Sequence, residues 1–125
     1  MIRLRPASND DEWTAWELRR QIQPDLTRAE HLAWWKAVPE HRFIALDGPA
    51  TVGILRVSLQ GEIHILVAEK ERGKGLGTQM LEAIKPVASE LGFQRVWGAV
   101  DADNPASHKA FLAAGYAPTR FEAAL

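Results

Sequence analysis

Glycine and cationic residues are concentrated in one short segment, RGKGLGT, which runs from Arg72 to Thr78. The thirteen residues that follow it, QMLEAIKPVASEL, have the apolar spacing of a helix. The first N–H groups of a helix have no backbone partner and carry the positive end of the helix dipole. Glycine lacks a Cβ, so successive N–H groups can face one ligand. The segment therefore indicates an anion site suited to phosphate, the alternative being an ordinary glycine turn.

The glycine spacing excludes two nucleotide-binding motifs. A Walker A loop requires G-x-x-x-x-G-K-[ST], and a dinucleotide fingerprint requires G-x-G-x-x-G. The glycines here are Gly73, Gly75 and Gly77, so both motifs fail. Arg72 and Lys74 place two cations beside these glycines, and the combination favours a diphosphate held by backbone and charge together.

The elements that must position this segment follow from hydrophobic periodicity. Residues Ile2–Pro6 alternate as an edge strand does, and two further period-two runs around the turn DGPA predict a hairpin. Thr27 and Glu30 form a capping box that starts the second of two helices, while Trp13 and Trp16 are predicted core residues of the first. The predicted order is β-α-α-β-β-β-α-β-α-β, an α/β (α+β) fold in which helices flank a mixed sheet.

The glycine segment should lie at the end of a strand. The strand before it and the strand after its helix are expected to form a right-handed βαβ unit. Ligands bind open α/β sheets at the carboxyl ends of such strands. The later strand is predicted over Phe93–Val100, and Pro86 is predicted to kink the helix between the two strands.

Composition limits the class of protein. The chain has 125 residues, which suits one domain over residues 1–125, and its net charge of −1 gives no sign of a nucleic-acid partner. It has no cysteine, so disulfides, thiolate nucleophiles and cysteine metal sites are excluded, and no metal is expected. No apolar run approaches the ~20 residues of a membrane span, and no secretory signal is recognised. We therefore expect a cytoplasmic protein without a membrane partner.

A longer set of motifs resembles the GNAT family of N-acetyltransferases. The acetyl-CoA signature of that family, [RQ]-x-x-G-x-[GA], is met by Arg72, Gly75 and Gly77, and a strand of the l-x-V type ends before it at Val67. The downstream N-x-A-S…G-[FY] element is met by Asn104, Ala106, Ser107, Gly115 and Tyr116. The resemblance covers roughly residues 62–116.

This resemblance implies acetyl-CoA as the cosubstrate and a mostly antiparallel, twisted sheet. The pantetheine arm would pair with the strand that ends at Val67, the pyrophosphate would bind the glycine segment, and Asn104 with the following helix would face the other side of the cofactor. The implied cofactor-binding residues are Ile65, Leu66, Val67, Arg72, Gly73, Lys74, Gly75, Leu76, Gly77, Thr78, Asn104 and Ser107.

Acetyl transfer to an amine needs a proton acceptor. At pH 7 only about one lysine-like amine in 2,500 is neutral, so a general base is useful. Without cysteine, no acyl-thiol intermediate forms, and direct attack is expected. Glu62 and His64 are the candidate bases, but relatives with a base on this strand have it at positions equivalent to Gly61 or Ile63. Unless a bulge shifts the register, Glu62 and His64 face the other side, as a solvated glutamate and a structural histidine would.

The group that protonates the departing thiolate is also unusual. Many relatives have a tyrosine at the position of Phe111, and Tyr116 is expected to pack after Gly115 rather than to react. Water or another group would then supply the proton, or catalysis would be slow. A catalytically weak acyl-CoA-binding regulatory module is therefore one alternative, and an interaction domain with an empty glycine loop is another.

The acceptor is indicated by the segment LTRAEHLAWWKAV. It resembles the eeH-x-x-W segment of acetyltransferases that act on nucleotide-linked 4-amino sugars, with His31 and Trp34 as matching residues and candidate substrate contacts. Trp34 would otherwise anchor its helix on the sheet. We expect an N-acetyltransferase for a small-molecule primary amine, with an amino sugar as candidate and a peptide N-terminus as alternative. The final strand leaves an edge that a second copy would cover, so a homodimer is expected.

Overall fold

Strands and helices follow one another in the predicted order. The structure, a computed structural model, describes residues 1–37, 39–98, 105–116 and 122–125, with the backbone alone for 122–124. Within these ranges the elements are β1 Ile2–Pro6, α1 Glu12–Ile22, α2 Arg28–Ala37, β2 Glu40–Asp47, β3 Ala50–Ser58, β4 Ile63–Val67, α3 Leu76–Glu90, β5 Arg95–Trp97, α4 Pro105–Ala113 and β6 Glu122–Ala124. Short 3-10 helices occupy Asn9–Asp11 and Glu69–Glu71.

The described strands form two antiparallel sheets, which one bridge between described residues connects. The larger sheet has the order β1-β2-β3-β4, with β1 at its edge as predicted, and the smaller one pairs β5 with β6. A single parallel bridge joins Glu62 to Trp97, and the Trp97 N–H donates to the Gly61 carbonyl at 3.0 Å. Among the described residues, the predicted parallel neighbours β4 and β5 therefore meet only where β4 begins.

Helices cover both faces of the larger sheet. The main core joins α3 to the sheet and contains the fully buried side chains of Leu55, Met80 and Ile84. A second core on the opposite face joins α1 to the sheet through Leu18 and Ile44. Because strand side chains alternate between faces, each strand serves both cores, and β4 lies between two helical layers.

Hydrogen bonds at both ends of α2 fix its position. At its start the Thr27 N–H donates to Glu30 Oε1 at 3.0 Å and the Glu30 N–H donates to Thr27 Oγ1 at 3.1 Å, which confirms the predicted capping box. At its end the Arg42 guanidinium donates to the carbonyls of Trp35 at 2.8 Å and Trp34 at 3.3 Å. A cation from β2 thus satisfies last-turn carbonyls of α2.

Two expectations about individual elements are corrected. Trp13 was predicted to be a core residue, but it is 58% exposed, whereas Trp16 is buried as predicted. The guanidinium of Arg28 lies 4.7 Å from the Trp13 ring centroid, so the indole is covered by a cation and not by the core. Strand β5 begins at Arg95 and not at the predicted Phe93, and the predicted residues 99–100 lie outside the described residues.

Helix α3 continues past Pro86 to Glu90 as one uninterrupted helix. In the part of the chain that the structure describes, no helix is long and apolar enough to cross a membrane.

Candidate active site

The glycine segment adopts a backbone that other residues avoid. Gly73 has φ +81° and Gly75, the N-cap of α3, has φ +75°. A Cβ at either position would meet no atom within 4 Å. Glycine is therefore required here for its left-handed conformation and not for lack of space.

The N-terminus of α3 is free to receive an anion. The N–H groups of Leu76, Gly77 and Thr78 precede the first helical hydrogen bond, which Gln79 donates to Gly75 at 3.3 Å. Among the residues that the structure describes, no side chain caps this end, and the first turn holds no acidic residue. An uncapped, carboxylate-free helix start presents the positive dipole end to solvent and fits a diphosphate.

The two cations of the segment are held by near neighbours. Arg72 Nε donates to the carbonyl of Val67 at 3.2 Å, which ties the loop to the end of β4. Lys74 Nζ pairs with Glu71 Oε2 at 3.0 Å. Both cationic side chains remain exposed, so the positive charge stays beside the helix start while Glu71 offsets part of it.

One edge of β4 presents its backbone to the space beside α3. The Ser58 N–H on β3 donates to the carbonyl of Glu62 at 2.9 Å, so Glu62 directs its backbone towards β3. Backbone groups alternate in direction along a strand, and the N–H and carbonyl groups of Ile65 and Val67 therefore point to the opposite edge. Beyond the bridge at Glu62, no described strand pairs with β4 there.

The open edge of β4 adjoins the start of α3. A Cβ at Gly77 would lie 3.5 Å from Ile65 Cδ1 and 3.7 Å from the Cβ of Ala110 on α4. The open strand edge and the uncapped helix end are therefore next to one another, and a ligand with an anionic group and an amide-bearing arm could contact both.

His64 and Glu62 form a pair on the other face of β4. His64 Nε2 lies 3.1 Å from Glu62 Oε1, and the His64 side chain is 46% exposed. The β3–β4 pairing has no register shift, so His64 lies opposite Arg56 and projects away from the face of Val67. Burial, and then Arg56, lower the pKa of His64 below its ordinary value of 6.5. A neutral imidazole that donates to Glu62 keeps Nδ1 as a proton acceptor.

Residues beyond α3 contribute in different ways. Asn104 lies outside the described residues, and Ser107 is half-buried on α4. Phe111 is buried and packs edge-on against Tyr116 with ring centroids 5.1 Å apart. The Tyr116 hydroxyl donates to the carbonyl of Leu81 at 2.9 Å, and burial raises its pKa. Tyr116 is therefore a packed core residue, as expected.

His31 is completely buried between charged partners. Its Nδ1 lies 3.1 Å from Arg19 Nη1 and its Nε2 lies 3.0 Å from Glu12 Oε2. A guanidinium only donates, so Nδ1 accepts and Nε2 carries the proton towards Glu12. Burial, and then Arg19, lower the pKa of His31, which is therefore neutral. A ring that solvent does not reach does not contact an acceptor itself, so His31 acts through the neighbours that it holds, among them Arg19.

Three arginines surround Trp34, a feature that the sequence analysis missed. The guanidinium carbons of Arg19, Arg42 and Arg56 lie 4.0, 4.3 and 5.0 Å from the centroid of the Trp34 ring. We call Arg19, Arg42 and Arg56 the arginine cluster. Arg42 Nε and Arg56 Nη1 each donate to Glu40 at 3.0 Å. The hairpin pattern held a signal for two of the three, because Arg42 and Arg56 are register partners.

The chain matches one protein family in sequence and several solved structures in fold. The model of the Acetyltransferase (GNAT) family matches residues 8–116. No curated protein matches the sequence. Among solved structures, aminoglycoside acetyltransferase AAC(6')-Ib in complex with coenzyme A and kanamycin is 19% identical with a TM-score of 0.79, covering 94% of this chain and 84% of its own.

A second similar structure is spermidine N-acetyltransferase from Vibrio cholerae in complex with CoA and spermine. It is 19% identical with a TM-score of 0.74, and the match covers 93% of this chain and 80% of the other. Identities this low show a shared fold. The family match spans most of the sequence, and the chain belongs to the GNAT family of acetyl-CoA-dependent N-acetyltransferases.

Proposed function

We propose that the protein transfers the acetyl group of acetyl-CoA to the primary amine of a small molecule by direct attack. The observation that carries this proposal is the open edge of β4 beside the uncapped start of α3. The similar structures named above are acetyltransferases for aminoglycosides and spermidine, which supports a small amine as the acceptor.

In this proposal the cofactor lies along β4 and across the helix end. The pyrophosphate accepts hydrogen bonds from Gly75 to Thr78, with Arg72 and Lys74 adding charge. The pantetheine arm pairs with the edge of Ile65 and Val67, as an added strand would. The Val67 N–H then donates to the thioester oxygen, where negative charge develops. Asn104 and Ser107 would border the cofactor from the side of α4.

Proton transfer is assigned to His64 acting through water, because its side chain projects from the face of β4 opposite that of Val67. Its lowered pKa keeps the ring neutral near pH 7, and Glu62 stabilises the imidazolium that forms. The amine attacks the thioester carbon, the C–S bond breaks, and the thiolate leaves. Phe111 has no proton to give, so water or another group protonates the thiolate.

The finer proposal for the acceptor is a nucleotide-linked amino sugar. It rests on the resemblance of the α2 segment to acetyltransferases that act on nucleotide-linked 4-amino sugars. It rests also on the position of Trp34 beside Arg19 of α1 and Arg42 of the sheet. The alternative of a peptide N-terminus keeps the same chemistry at the thioester and differs only in what lies along α2.

The proposal is tested by titrating acetyl-CoA into the protein in a calorimeter and then measuring thiol release with a panel of amines. We expect micromolar binding and release with at least one class. Absence of binding would contradict the cofactor site, and binding without release would favour the regulatory alternative.

A matched pair of variants makes this test specific to the cofactor site. Gly75→Ala and Gly92→Ala each place a Cβ at positive φ, +75° and +95°, with no atom within 4 Å, at opposite ends of α3. Both variants lose similar stability, but only Gly75→Ala should weaken acetyl-CoA binding, by about tenfold or more. Equal weakening in both would show that binding depends on helix stability alone.

A further inference from the structure

The arginine cluster has more positive charge than its surroundings neutralise. Glu40 is the carboxylate that bonds Arg42 and Arg56, and its side chain is only 4% exposed. Among the described residues, Arg19 forms no ion pair with a carboxylate and has the neutral His31 as its hydrogen-bond partner. Three guanidiniums around one indole thus have a single bonded carboxylate.

Other carboxylates near the cluster are already engaged. Glu30, which also acts on Arg19, is bonded to Thr27 at the start of α2. Glu12 bonds Arg28 and His31. The positive charge is also visible in Arg19 itself, whose pKa is lowered by burial and then by its two arginine neighbours.

We infer that the arginine cluster binds an anionic group of the acceptor, so that the acceptor is an amine carrying a phosphate or a carboxylate. This inference rests on the proposed function, and it names the acceptor class for that same site. Guanidiniums bind both oxyanions through paired N–H donors, so the two groups share one chemistry.

The cluster lies where an acceptor would pass. Arg56 is the register partner of His64, the proposed base, and its side chain is 27% exposed. On β4, His64 precedes Val67 by three residues, or about 10 Å of strand. An acceptor whose amine meets the thioester near Val67 would therefore carry its anionic group further along β4, which fits an extended molecule better than an α-amino acid.

The same charges act against cationic acceptors. A polyamine would bring its second ammonium group to three guanidiniums, and like charges brought together reduce affinity. The acceptor preference should therefore differ from that of the spermidine acetyltransferases that share this fold.

Arg19 depends on a buried positioning residue. His31 accepts from Arg19 and donates to Glu12, and its ring packs against Trp16 and Trp34 with centroids 5.5 and 5.7 Å apart. These two hydrogen bonds hold the guanidinium of Arg19 against the indole of Trp34. The Arg19 side chain therefore loses less conformational entropy when an anion binds.

A series of acceptors with one length and different charge tests the inference. The probes are 6-aminohexyl phosphate, 6-aminohexanoate, 6-aminohexanol and 1,6-diaminohexane. Binding is measured by calorimetry on the full chain saturated with CoA, and turnover separately with acetyl-CoA. We expect the two anionic probes to bind at least about tenfold more tightly than the alcohol, and the diamine to bind most weakly. The tighter binder of the two anionic probes then identifies the group as phosphate or carboxylate.

Variants assign the preference to the cluster. Arg19→Gln should reduce the preference for anionic probes over the alcohol about tenfold, whereas Arg20→Gln, at the exposed neighbouring position on α1, should leave it unchanged. The probe series on the unaltered protein decides the matter even if Arg19→Gln fails to fold.

The outcomes separate the two proposals. Preferential binding of anions without turnover would support the anionic subsite and contradict the proposed reaction. Turnover of the diamine or the alcohol as efficient as that of the anions would overturn the subsite and leave the proposed reaction standing.

Discussion

The protonation of His31 is decided by two neighbours. Arg19 donates to one ring nitrogen and Glu12 accepts from the other, so the neutral ring satisfies both, and protonation would oppose a guanidinium. A buried histidine of this kind links the stability of the fold to pH.

We predict that the free energy of unfolding decreases as pH falls below about 6.5. The folded pKa of His31 lies below its ordinary value, so in this range the unfolded chain binds more protons and stability falls with pH. His31→Gln, whose amide can accept and donate in the same way, should flatten this dependence in urea titrations between pH 5 and 7.5.

Replacing another histidine controls for general effects. His41, whose ring packs edge-on against Phe93, serves this purpose as His41→Gln. If the pH dependence of the free energy of unfolding flattens equally in both variants, His31 is not the group responsible for it.

The proposed role of His64 as the base predicts that kcat/KM depends on pH. We expect kcat/KM to fall at acid pH with a midpoint below 6.5, since burial and Arg56 lower the pKa of the ring. His64→Gln should lower kcat by about 10²-fold and remove that acid limb, as pH–rate profiles would reveal. An unchanged limb in His64→Gln would assign the titration to another group.

At the scale of elements, the pairing of β3 with β4 sets the geometry of the site. Gly53 lies opposite Val67, and a Cβ at Gly53 would come within 2.4 Å of the Leu66 carbonyl oxygen. The close approach of the two strands therefore depends on the missing side chain.

Alanine at two glycines should consequently have opposite effects on stability. Gly53→Ala should destabilise the fold by about 1–3 kcal/mol, because backbone must move to relieve the contact. Gly77→Ala, inside α3 with its nearest contact at 3.5 Å, should be stabilising by about 0.5–1 kcal/mol, because glycine is a poor helix former. Urea midpoints for both variants test this, and loss of stability in Gly77→Ala would contradict it.

The elements were easier to predict than the faces they present. The α2 capping box and the β2–β3 hairpin depend on neighbours in sequence, and local residue types suffice for them. Trp13 was misplaced because three-residue spacing puts it near Trp16, although only a tertiary contact decides which indole is buried.

The position of the glycine segment between β4 and α3 was predicted because its residue pattern is local. The arginine cluster was not, since its members come from α1, β2 and β3 and converge only after folding. The predicted strand Phe93–Val100 starts two residues before β5, because periodicity alone does not show where pairing begins.

At the scale of the whole molecule, one bridge connects the two sheets in the described part of the chain, and the proposed cofactor lies where the sheets separate. A ligand that contacts β4 and α3 adds contacts that the unfolded chain lacks. Binding should therefore stabilise the entire fold.

We predict that acetyl-CoA at 100 times its Kd stabilises the native state by about 2.7 kcal/mol and raises Tm by several degrees. Gly75→Ala should reduce this shift at the same ligand concentration, and Gly92→Ala should not. Thermal denaturation of the three proteins with and without acetyl-CoA measures it, and an equal shift in all three would place the cofactor elsewhere.

The arginines around Trp34 also make its fluorescence sensitive to the binding of a charged ligand. The emission energy of an indole depends on the electric field across its ring, and three cations lie within 5.0 Å of this one. An anion that neutralises them changes that field, so the part of the emission of the five tryptophans that comes from Trp34 should shift in wavelength when an acceptor binds. Occupancy of the acceptor site can then be followed in real time without a label, before any acetyl group has moved.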